Sequence, residues 1–147
     1  DVVVMDTSDT TLRVLPGVPL LKLWPDAVDD APAGTWTEVL HPDFDKVGRR
    51  MDDAQLAGPT PVGRVFLLGG GDDLARVTLG GADAFRAIMM SLFAARYGET
   101  FVSGLDKRAM LGQVTRLLEA APVEVLRRPK DRNRLAESAT MVIDSLQ

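Results

Sequence analysis

Three consecutive valines, Val2–Val4, lie between Asp1 and the pair Met5-Asp6, and they constrain this chain more than any other feature. Three β-branched residues in a row lose side-chain freedom in a helix and pack well on a pleated surface, so they predict a strand. No polar residue alternates with them. The strand is therefore expected to be buried on both faces, in the middle of a parallel or mixed sheet. Chain ends usually fray at the surface, so an apolar strand one residue from Asp1 predicts sheet neighbours upstream of Asp1.

The chain has 147 residues, enough for a single domain or for the C-terminal portion of a larger one. Its apolar share is 46% and its charged share 26%, as in ordinary globular domains. No window approaches the roughly 18 to 20 apolar residues that a membrane span needs, so no membrane partner is expected. There is no Cys, hence no disulfide and no thiolate metal site, which fits a cytoplasmic location. Seventeen basic against 21 acidic side chains give a net charge of −4, and this argues against nucleic acid as a partner. Five Phe, two Trp and one Tyr offer few stacking platforms for bases. The composition leaves a homo-oligomer open.

Periodicity and turn residues divide the chain into short elements. Val2 to Leu15 reads as two strands joined by Thr7-Ser8-Asp9-Thr10, and Pro19 to Leu23 as a third extended stretch. Trp24-Pro25-Asp26 suits a short helical start, and Trp36 to Leu40 another strand. Residues 41–61 are polar and rich in turn formers, which predicts a long mobile loop. Arg64 to Leu68 is expected to pair as a hairpin with Ala75 to Leu79 across a turn at Gly69 to Asp73. A helix is predicted from Gly81 to Tyr97, its apolar face formed by Phe85, Ile88, Met89, Leu92 and Phe93, and ended by Gly98. Ser103 and Asp106 resemble a capping box for a second helix carrying Met110, Val114, Leu117, Leu118 and Ala121, stopped by Pro122. Val123 to Leu126 is a strand, and Asp131 caps a last helix with Leu135, Ala139, Val142 and Leu146 on one side. The fold class expected is α/β, with α+β as the other option: a mixed sheet with flanking helices.

Several groups of residues suit chemistry. Gly69-Gly70-Gly71-Asp72-Asp73 lacks the Lys and Ser or Thr of a phosphate loop and leads into a strand, so it reads as a turn. Asp1 and Asp6 flank the first strand, where a carboxylate either holds magnesium or is simply solvated. His41 with Asp43 and Asp45 suits a general base or metal ligand, or an exposed loop histidine. Lys46, Arg49 and Arg50 suit an anion such as a nucleotide phosphate, or a solvated charged loop. Arg127-Arg128-Pro129-Lys130 follows a strand, where α/β folds commonly gather ligands. Lys22 interrupts an apolar run, either as a guard on an edge strand or as a charge aimed at a site.

Taken in order, segments across nearly the whole chain resemble the later part of the HPr serine kinase-like proteins, the short bacterial relatives that include lasso-peptide kinases. The segments are Asp1-Val2-Val3-Val4, Leu15 to Asp26, Asp45-Lys46, Val65 to Leu68, Leu79 to Phe85 and Val123 to Asp131. The most specific is Leu15 to Asp26, in which Trp24-Pro25-Asp26 carries most of the weight. The resemblance implies a fold akin to the HPr kinase and ATP-dependent phosphoenolpyruvate carboxykinase core, incomplete in this chain because the phosphate loop would precede Asp1. It implies transfer of phosphate from ATP, with Mg2+, to the Ser hydroxyl of a protein or peptide, with a lasso-peptide precursor as one candidate. Asp1 would handle magnesium or the acceptor, Lys46 would face phosphate, and Arg128 would lie near the site. Without a phosphate loop, the chain alone is not expected to bind ATP tightly. Two rival readings stand beside this one. The first is a non-catalytic module that grips a peptide by strand addition and works with a separate catalytic chain. The second is a small-molecule enzyme built on His41.

Overall fold

The computed structural model describes residues 3–9, 11–29, 35–41, 44–51, 58–92 and 106–146. They form three small sheets and three α-helices, a mixed α/β architecture. The first sheet has the order β1-β2-β6, from β1 (Met5–Asp6), β2 (Arg13–Val14) and β6 (Thr60–Pro61), all antiparallel. The second has the order β3-β5-β4, from β3 (Leu20–Leu23), β4 (Thr35–His41) and β5 (Phe44–Arg50), also antiparallel. The third has the order β7-β9-β8, from β7 (Val65–Gly70), β8 (Ala75–Thr78) and β9 (Val123–Arg128). Here β9 runs parallel to β7 and antiparallel to β8.

The helices are α1 (Gly81–Ser91), α2 (Lys107–Ala120) and α3 (Leu135–Asp144). Ala84 and Ile88 of α1 and Val114 and Leu117 of α2 are buried together with Val123 of β9 and Leu12 just before β2. Phe85, Met89, Leu92, Val65 and Leu67 pack against this cluster. One face of the third sheet therefore lies under α1 and α2, while Leu12 ties the first sheet to the same core. Arg64 anchors the end of α3: its Nε donates to the Ser145 carbonyl at 2.6 Å.

Six expectations are corrected. The valine run is not an interior strand: Val3 and Val4 precede β1, are 59% and 56% exposed, and lead into a strand that is outermost in its sheet among the described residues. An apolar run specifies an extended backbone but not how many neighbours it finds. Next, residues 44–50 are no loop but the central strand of the second sheet. Charged side chains hid it, because Asp45-Lys46 and Arg49-Arg50 flank Val47-Gly48 with no apolar alternation, on a strand whose partners, not its composition, fix its place.

The hairpin is the third correction, since β7 and β8 do not pair and β9 lies between them. Gly69 and Gly70 continue β7, and the turn begins at Gly71, whose N–H donates to the Arg128 carbonyl at 3.2 Å as the chain crosses the end of β9. That crossing needs slim residues. A Cβ on Gly69 would stand 3.1 Å from Val125 Cγ1, and one on Gly71 3.5 Å from Arg127 Cβ.

The cap of α2 is the fourth. Asp106 is itself the N-cap, with its Oδ1 accepting from the Arg108 and Ala109 N–H groups at 2.9 and 3.2 Å. Ser103 lies outside the described residues, as do Phe93, Tyr97 and Gly98. The fifth is the end of α1: the helix stops at Ser91, with Leu92 extended and its N–H donating to the Met89 carbonyl, and not at Gly98. Finally, α3 turns Ser138 inward and leaves Leu135 and Leu146 exposed. Asp131 does cap as expected, accepting from the Asn133 N–H at 2.9 Å, but it opens a 3-10 turn over Arg132–Arg134. Ser138 can be buried because its hydroxyl donates to the Arg134 carbonyl one turn earlier, at 3.1 Å.

Shortening Ile88 to Ala should cost about 2–4 kcal/mol of unfolding free energy in urea titration, because the cavity opens inside the shared cluster. Asp106→Ala should cost about 1 kcal/mol by leaving two helix N–H groups without their acceptor. Losses below about 0.5 kcal/mol for both would contradict this packing.

Candidate functional site

Parallel strands β7 and β9 end side by side, Gly70 opposite Arg128, and the cations expected to meet an anion gather at this end. Arg127 and Arg128 close β9, and Pro129-Lys130 follow at once. Strand alternation sends Arg127 and Arg128 to opposite faces. Arg127 runs along the cleared backbone of Gly69 and Gly71, while Arg128 is half-buried. Asp72 and Asp73 lie exposed in the facing turn. A guanidinium fork at the carboxyl ends of parallel strands can hold a phosphate or carboxylate in two hydrogen bonds.

Lys46 sits on a different element. The antiparallel register places Leu23 of β3 opposite Val47 of β5, which brings the next residues outward, Trp24 and Lys46, to the same end. There the Lys46 Nζ lies 4.8 Å from the centroid of the Trp24 ring. Arg49 and Lys46 face opposite sides of β5, so the three cations read as one cluster are divided by the pleat. Lys46 and Arg128 thus stand on separate sheets, one fixed by an antiparallel ladder and the other by a parallel one.

The remaining candidates fall out as follows. Asp1 and Asp43 lie outside the described residues. Asp6 caps a turn: its Oδ1 accepts the Ser8 N–H at 2.9 Å, and the hydrogen bonds from Ser8, with Arg13 nearby, hold its carboxyl below the usual range. His41 closes β4 with its backbone opposite Phe44. Lys22 is exposed on β3, an outer strand of the second sheet, as a guard against edge pairing would be. No group of three or more His, Cys, Asp or Glu able to hold a metal ion occurs among the described residues.

One constellation was missed. Glu124, the second residue of the central strand β9, is 2% exposed and held between two arginines. Arg64 Nη1 donates to its Oε1 at 2.6 Å; Arg76 Nε donates to Oε2 at 2.6 Å and Nη2 to Oε1 at 3.0 Å. Hydrogen bonding from Arg76 is the largest cause that lowers the Glu124 pKa, and the charge of Arg64 adds to it against the opposing effect of burial. Since Arg64 also holds the Ser145 carbonyl, a single carboxylate links β9, β8, the start of β7 and the end of α3. The signal was present: Glu124 is the one charge inside Val123-Glu124-Val125-Leu126, and a buried charge needs partners.

Glu124→Gln should destabilise the protein at pH 7 by more than the roughly 0.5 kcal/mol typical of a surface change, because two guanidiniums lose their counter-charge. The pH dependence has a definite sign. A carboxylate with a depressed folded pKa contributes stability above its unfolded value of about 4.3, and that stability is lost as pH falls through the folded value. Melting temperature measured from pH 7 downward should fall less steeply in Glu124→Gln than in the unaltered protein. Parallel curves would contradict the buried ion triad. No family model, no curated protein and no solved structure matches this chain, so its site is read from its own residues.

Proposed function

We propose that this chain is the later part of an ATP-dependent serine kinase similar to the HPr serine kinases, acting on a protein or peptide substrate in the cytoplasm. The observation that carries the reading is the β3–β5 register. It unites the segment ending in Trp24-Pro25-Asp26 with Asp45-Lys46, two stretches of the resemblance that lie about twenty residues apart in sequence. A third stretch, Val123 to Asp131, delivers Arg128 to the carboxyl end of a parallel strand pair, where an anion site is expected.

Phosphoryl transfer asks little covalent work of a protein and depends on positioning and on neutralising charge. Lys46 serves as a compact cation for a nucleotide phosphate, and Arg128 as a planar fork for a second set of oxygens. Asp1 is assigned to magnesium or to the acceptor hydroxyl. Bound magnesium would supply positive charge to offset that of the phosphates. Two of the described carboxylates are engaged elsewhere: Asp6 with Ser8 and Glu124 with its two arginines. The sequence contains no phosphate loop, so activity requires one from a further segment or chain.

A second reading is favoured by one observation. Met5 on β1, the outer strand of the first sheet among the described residues, and Val3 and Val4 just before it are exposed, a surface that suits an added peptide strand without catalysis.

Both readings meet in one experiment: phosphate transfer from Mg-ATP to a Ser-containing peptide, measured with the product of the complete open reading frame. Lys46→Ala and Arg128→Ala should each lower kcat/KM by roughly ten- to a hundredfold, the value of one charge-assisted hydrogen bond. Full activity in both variants would remove these residues from the site. Thermal stabilisation by the peptide but not by ATP, with no transfer, would favour the peptide-binding module.

A further inference from the structure

We infer that Trp24 is a positioning residue for Lys46, its indole face setting where the ammonium meets the phosphate; this rests on the kinase reading above. Trp24 is 51% exposed and does not belong to the buried cluster, so its large apolar surface is not explained by core packing. Its backbone is fixed on both sides. Leu23 is held by the ladder to Val47, and Pro25 opens a 3-10 turn in which the Ala27 N–H donates to the Trp24 carbonyl at 2.9 Å. The indole is thus mounted at the exit of β3 at a defined distance from β5. Across that gap, the Lys46 Nζ lies 4.8 Å from the ring centroid.

A lysine side chain has four rotatable carbons and an ammonium that water solvates strongly, so an unguided Lys46 would spread over many rotamers. An electron-rich ring face attracts the cation and narrows that spread while leaving its N–H groups open to an incoming anion. The effect of such a contact at a half-exposed site is roughly three- to tenfold in an equilibrium constant. The specific Trp-Pro-Asp stretch then has a physical role: Pro25 fixes the turn, and Trp24 fixes the cation.

The test is a double-mutant cycle on kcat/KM for Mg-ATP, using the product of the complete open reading frame. Trp24→Leu should lower kcat/KM roughly three- to tenfold, Trp24→Phe should restore most of it, and Trp24→Leu should add nothing in a Lys46→Ala background. Progressive fluorination of the indole at position 24 keeps its shape and drains its negative face, so it covers the case in which Trp24→Leu folds poorly. Activity should fall with each added fluorine. Activity unchanged by fluorination, or an equal cost of Trp24→Leu with and without Lys46, would overturn the inference. An inactive unaltered protein, or a fully active Lys46→Ala, would instead overturn the kinase reading on which it rests.

Discussion

The carboxylate of Glu124, closed in near the start of the central strand β9, is the constraint on which the third sheet depends. Taking a carboxylate out of water costs several kcal/mol, and it stays charged only because two guanidiniums reach it from opposite sides. Arg64 comes from the start of β7 and Arg76 from β8, so the triad closes only when both strands take their observed places beside β9. A register slip of one residue would turn Glu124 toward the apolar face under α1 and α2. The triad therefore specifies an arrangement more than it adds stability, since an apolar replacement of similar shape is often as stable as a buried ion pair. It also fixes the end of α3 through Ser145.

From that arrangement follows the position of the cations at the far end of the sheet. With β7 and β9 parallel and in register from Val65 and Val123, Gly70 must meet Arg128. The glycine run then lets the chain cross β9 without displacing Val125 or Arg127. The second sheet is held differently. Among the side chains described, the buried apolar ones come from α1, α2, β9 and the stretches beside β2 and α2, and none from β3 or from residues 45–50 of β5. Lys46 is placed by backbone ladders and by Trp24, so its surroundings tolerate adjustment that the third sheet does not.

Much of the local structure was legible because it rests on short-range chemistry. The apolar spacing on α1 and α2, the stop at Pro122, the cap at Asp131 and the turn after Trp24 all emerge where residue type fixes the backbone. What failed depends on partners distant in sequence. Val3 and Val4 look interior until they are found exposed ahead of β1, and residues 44–50 look like a loop until β3 and β4 flank them. The hairpin failed because β9, more than forty residues away, inserts between β7 and β8. The candidate cations were visible as clusters, but their division between two faces and two sheets was not. Glu124 was overlooked because its arginines are 60 and 48 residues distant.

The central claim is that Lys46 on β5 and Arg128 on β9 address one nucleotide, although they belong to different sheets. Backbone amide spectra recorded with the phosphate-loop segment present, during titration with Mg-ATP, test it most directly. The account predicts that the amides of Lys46, Gly71 and Arg128 shift together along a single saturation curve. Shifts confined to one sheet, or separate curves for Lys46 and Arg128, would contradict it.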